Sequence, residues 1–154
     1  MHDAIIALIG AAIGGLIAYY SAIFTNRRLQ FNIAAGKFRA AFVETKRLLS
    51  KNRLYDLSAK YDNPIFNILD THIINHERAK IRFSAFVSKN DLEAFDKAWD
   101  GYYSKSKDGA GYCLVEYSCE MCHKTNKPLH DSLEQKRCLA LNRIGQLLHF
   151  TKFK

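Results

Sequence analysis

The chain reads as an all-α protein in which one membrane-spanning helix runs on into a small helical bundle. Three observations carry that reading. An uncharged apolar stretch runs from Ala4 to Phe24, apolar residues recur at helical spacing through most of the remaining chain, and strand signals are weak. The layout predicts an extracytoplasmic tail at 1–3 and a transmembrane helix at 4–24. A basic amphipathic juxtamembrane helix comes next at 25–60, then a helical cytoplasmic domain at 61–154.

The apolar stretch, AIIALIGAAIGGLIAYYSAIF, has 21 residues and no charge. At about 1.5 Å per residue it makes a helix roughly 31 Å long, close to the hydrocarbon thickness of a bilayer. Only a helix satisfies the backbone of a single segment in lipid. Tyr19 and Tyr20 fall near one end, where amphipathic rings favour the interface. A buried core helix is the alternative, but so long an uncharged run is uncommon in soluble domains. A cleaved signal peptide fits less well. Met1-His2-Asp3 lacks the basic start, and the apolar run exceeds the usual signal length.

Charge sets the orientation. Basic residues flanking a span stay in the cytoplasm, and here they lie only on the C-terminal side: Arg27, Arg28, then Lys37 and Arg39. The expected topology is N-terminus outside and C-terminal domain inside, at a cell inner membrane. Within the span, Gly10, Gly14 and Ala18 recur every fourth residue, continuing to Ala22, with a second row of Ala7, Ala11 and Gly15. Small residues at this spacing let helix backbones approach closely. They are candidates for packing against a second copy or another membrane protein, although such residues are common in transmembrane helices anyway.

Residues 25–60 hold nine basic and two acidic side chains, so they carry +7 of the chain's net +8. Phe31, Ala34/Ala35, Phe38, Ala41/Phe42, Thr45 and Leu48/Leu49 keep helical spacing. An amphipathic helix continuing from the span is expected. Its Arg27, Arg28, Lys37, Arg39, Lys46 and Arg47 are candidates for contact with anionic lipid. Phe38 and Phe42 look like core residues. No nucleic-acid-binding motif accompanies the charge, and a basic segment directly after a span is explained by topology. The expected partner is therefore the bilayer, not nucleic acid.

Farther on, Asn63-Pro64 is a helix start, followed by Ile65, Phe66, Leu69, Ile73, Ile81 and Phe86. Ser88 to Asp91 is a break and a new cap. Leu92, Phe95, Ala98/Trp99 and Tyr102/Tyr103 then share one face. Ser104 to Gly111 is a polar loop, and Gly111 to Tyr117 alone passes for a short strand. A last helix is expected over Leu129 to Phe150, with Leu133, Ala140, Ile144, Leu147 and Leu148 inward. The whole is a bundle of about four helices.

Three stretches carry a likeness across most of the chain. They are Asn26-Arg27-Arg28 through Lys37-Phe38-Arg39-Ala40-Ala41-Phe42, then Ala98-Trp99-Asp100-Gly101-Tyr102, then Leu147-Leu148-His149-Phe150-Thr151-Lys152. With them the layout resembles small bacterial single-pass membrane proteins for which no activity is established. The resemblance implies no activity and carries over no functional residue.

The four cysteines fall between positions 113 and 138, and Cys119-Glu120-Met121-Cys122-His123 fits the signature for covalent haem attachment. That chemistry belongs outside the cytoplasm, and the only methionines, Met1 and Met121, offer no downstream iron ligand. Zinc is the other metal reading, with Cys113, Cys119, Cys122 and one of His123, His130 or Cys138 as soft ligands. One Cys-x-x-Cys pair falls short of the two that zinc ribbons use. Reduced thiols packing as small apolar groups are the plain alternative, and disulfides are disfavoured in a cytosolic domain. His72, His76, His130 and His149 read as surface or satisfied core histidines. No phosphate loop, nucleophile elbow or acid pair appears. The expected function is that of an interaction or regulatory module without a cofactor, and not an enzyme; a zinc or haem c redox protein using Cys119, Cys122 and His123 is the alternative.

Overall fold

A computed structural model describes residues 2–105, 112–113 and 129–152. It is all-α, with a long N-terminal apolar helix leading into a small bundle. The helices are α1 (His2–Ala41), α2 (Val43–Leu48), α3 (Lys51–Ser58), α4 (Pro64–Ser84), α5 (Lys89–Tyr102) and α6 (Leu129–His149). The one ladder among the described residues is a two-residue antiparallel pair, β1 (Ser104–Lys105) with β2 (Tyr112–Cys113). Its second strand falls in the one segment with strand character in the sequence.

The first helix is longer than its apolar run. Its 40 residues span roughly 60 Å, so the helix carries on without interruption through Arg27 and Arg28 to Ala41. The basic segment beyond it is not one helix. It bends at Phe42, whose amide donates to the Arg39 carbonyl in a tightened turn, and again at Leu49–Ser50. The reason is packing. Phe38, Phe42, Thr45 and Leu49 keep one helical face and are buried, and the break at Leu49–Ser50 lets Leu54, which lies off that face, join the same core.

The core is aromatic. Phe38 stacks on Phe83 of α4 at 4.8 Å and meets the edges of Phe42 and Phe95 at 5.2 and 5.8 Å. Phe95 of α5 also meets Phe83 at 5.8 Å and Phe150, just past α6, at 5.3 Å. Offset and edge-on pairs of this kind add to the benefit of area burial. Phe42 lies against residue 76, while Phe31 and Phe38 lie against residue 83, so α4 runs antiparallel to α1. It therefore returns toward the apolar span. The α5–α6 pair closes the other side with Trp99, Tyr102, Ala140, Ile144 and Leu147 buried.

Two helix starts lie where the sequence placed breaks, although Asn63 makes no side-chain cap bond to α4. Pro64 opens α4 at its first turn, where the missing N–H costs nothing. The Ser88 hydroxyl accepts from the Asp91 amide at 3.2 Å and donates to the Asp91 carboxylate at 2.8 Å, so α5 starts at Lys89, two residues before Asp91.

Phe83→Ala should lower unfolding free energy by about 3–5 kcal/mol, since it removes three ring contacts at the centre. Ile74→Ala, at an exposed site of the same helix, should stay within about 0.5 kcal/mol. Urea unfolding of the full chain in detergent micelles measures both; equal losses would contradict this core.

Candidate functional site

Two regions stand out against a plain helical bundle: the uncovered half of α1 and a polar centre inside the bundle. From Ile9 to Phe24 no side chain is buried. Ile6 and Tyr20 are 67% exposed, and Ile13 is 53% exposed. Soluble proteins rarely expose apolar surface on this scale. The helix is long and apolar enough to cross a membrane. Gly10, Gly14 and Gly15 have no atom near the place a Cβ would take. The row Gly10, Gly14 and Ala18 thus lies open on this helix.

The basic residues spread along a rigid axis. Arg27 and Arg28 lie within about 6 Å of Phe24 along the helix, and Lys37 and Arg39 roughly 20 Å beyond it. Lys46 and Arg47 come after the bend at Phe42, on α2. All six are exposed. Arg47 makes a two-pronged ion pair with Glu44, at 2.8 and 2.6 Å, which raises the pKa of Arg47 and lowers that of Glu44.

The polar centre is built on His76, which is fully buried. Its ring stacks on Phe42 at 4.2 Å and 12°. Its Nε2 lies 3.1 Å from the Ala41 carbonyl oxygen and 3.0 Å from Thr45 Oγ1, and its Nδ1 lies 2.8 Å from the Tyr102 hydroxyl. A carbonyl oxygen only accepts, so the proton sits on Nε2 and is shared between Ala41 and Thr45. Nδ1 is then the acceptor, and the Tyr102 hydroxyl donates to it. Ala41 closes α1, where helix carbonyls lack partners within the helix. One neutral imidazole thus joins the α1–α2 bend to α4 and α5. Burial pushes its pKa down to about 4; the Ala41 bond opposes that shift, and the nearby His72 adds to it. With both ring nitrogens engaged, this histidine positions helices.

A groove of about 450 Å³ lies between α1 and α4. Its floor includes Ala34, Ala79 and Phe83, and Lys37, Arg78 and Arg82 stand on its edges. The sequence reading missed Arg78 and Arg82, whose one-turn spacing on α4 was the available signal. Of the cysteine set, Cys113 falls in β2, while Cys119, Cys122 and His123 lie outside the described residues. Cys138 is exposed, on α6. Among the described side chains no group of three metal-ligating residues gathers. Comparisons with protein-family models, curated proteins and solved structures found no significant match.

The His76 site predicts an acid-sensitive bundle. Above about pH 6.5 the imidazole is neutral folded or unfolded, and its contacts contribute fully. Between 6.5 and 4 the unfolded chain binds a proton that the folded chain refuses, so stability falls as pH falls. A separation of this size corresponds to at most about 3 kcal/mol. Urea unfolding at pH 7 and pH 4 should show the full chain losing about that much more than His76→Gln. Equal losses would contradict the assignment.

Proposed function

We propose that this chain is a single-pass membrane protein of the cell inner membrane, with its N-terminus outside and its helical bundle in the cytoplasm, where the bundle serves as an interaction or regulatory module. The observation that carries the reading is the uncovered apolar half of α1. Among the described residues no other element packs over it, so its natural solvent is hydrocarbon.

Orientation rests on charge. Arg27 and Arg28, then Lys37 and Arg39, follow the span on its C-terminal side, and basic residues flanking a span stay in the cytoplasm. Within about 6 Å of Phe24 they sit at headgroup depth, where each adds on the order of 1 kcal/mol against an anionic leaflet. Because α1 is continuous through Ala41, the bundle stands off the membrane on a stalk and does not lie flat against it. The open row Gly10, Gly14 and Ala18 suits close approach of a second span, in another copy or another membrane protein.

Alkaline carbonate washing tests anchoring: the full chain should stay in the membrane pellet, and recovery in the supernatant without trimming would refute it. A tag after Lys154 should resist protease added to intact cells; digestion there would overturn the orientation. Gly10→Ile with Gly14→Ile should weaken crosslinked dimers several-fold if the span packs against its own copy. Undiminished crosslinking would remove that row from the interface.

A further inference from the structure

We propose that the groove between α1 and α4 holds one acidic phospholipid, with its phosphate bound by Lys37, Arg78 and Arg82. This rests on the anchored reading of the chain. Arg78 and Arg82 are one turn apart on the exposed side of α4, and Lys37 faces them from α1. Among the described residues no acidic side chain lines the groove. Among the described residues none of the three cations has an ion-pair partner, whereas Arg47, Lys80 and Arg137 each have one. Three uncompensated cations about one cleft favour a doubly or multiply hydrogen-bonding anion, and guanidinium groups match phosphate oxygens in pairs.

The floor makes the ligand an amphiphile. Ala34, Ala79 and Phe83 give an apolar base beneath the charged edges. Position makes it a lipid of the adjacent leaflet. Ile33 and Phe86, 44% and 42% exposed, mark the end of the groove nearest the span. Ile33 is about 14 Å and Lys37 about 20 Å past Phe24 along α1, beyond a headgroup layer roughly 5–8 Å deep, so the groove takes a lipid drawn up out of that leaflet. A second copy of the chain fits poorly, because each copy carries +8 and would bring like charge to the same edges.

Native mass spectrometry of the full chain in mild detergent tests this, after incubation with equal amounts of phosphatidylglycerol and phosphatidylethanolamine. The full chain should retain phosphatidylglycerol about tenfold in preference, and Arg78→Gln with Arg82→Gln should abolish that preference. Both substitutions are at exposed positions, and unchanged helical circular dichroism checks the fold. Lys89→Gln with Lys97→Gln, at exposed positions outside the groove, should keep the preference. Equal retention of both lipids, an unchanged preference in the Arg78/Arg82 variant, or displacement of the lipid by millimolar inorganic phosphate would overturn the proposal. Lipid indifference in a chain that still resists carbonate washing refutes the groove alone. A chain that fails to stay in the pellet refutes the anchor and the groove together.

Discussion

A single continuous helix carries two unlike surfaces. The first half of α1 carries no charge from Ala4 to Phe24 and buries no side chain from Ile9 to Phe24; the last third buries Ala35 and Phe38 in a protein core. The helix is uninterrupted between the two, so whatever fixes one half fixes the height and rotation of the other. The arrangement of the bundle depends on that coupling. The return of α4 toward the span, the bend at Phe42 and the docking of the α5–α6 pair all refer to one axis. The basic residues then sort by distance along it: Arg27 and Arg28 directly after the apolar run, the others progressively farther along.

The bend at Phe42 is where the bundle is tied to that axis. Ending α1 at Ala41 frees a carbonyl, and a buried imidazole from α4 takes it up. The same ring rests on Phe42 and accepts from Tyr102, so three elements meet at one neutral group. A charged side chain would be costly there, and an apolar one would leave the carbonyl and two hydroxyls without that partner. The chemistry of the site is that of a structural clasp. Its sensitivity to acid is a consequence of burial.

Much of this was legible from spacing. The uncharged run from Ala4 to Phe24 announces a helix long and apolar enough to cross a membrane, and Phe95, Trp99 and Tyr102 declare an inward face that the fold honours. Thr45 falls on the apolar stripe with Phe38, Phe42 and Leu49, which foretold its burial without naming its partner. His76 continues the row of Leu69, Ile73 and Phe83, so a core histidine was one of its two natural readings. The pairing of Thr45, His76 and Tyr102 could not be read, because contacts between residues 31 and 26 positions apart depend on how helices cross. The bend at Phe42 was hidden for a related reason. Helical spacing persists across it, and only the three-dimensional closure of the core requires the break. Likewise, the groove arises from two helices whose cations look like ordinary surface charge when each is read alone.

The depth of α1 in the bilayer decides whether this architecture holds. A nitroxide placed in turn at Ile13 and at Gln30 measures it directly, in full-length protein reconstituted in liposomes with its four cysteines replaced by serine. Collision rates with oxygen and with a water-soluble nickel chelate report depth. A spanning α1 predicts that Ile13 meets oxygen and excludes nickel, as at the bilayer centre, and that Gln30 meets nickel freely. Nickel reaching both positions equally would contradict it.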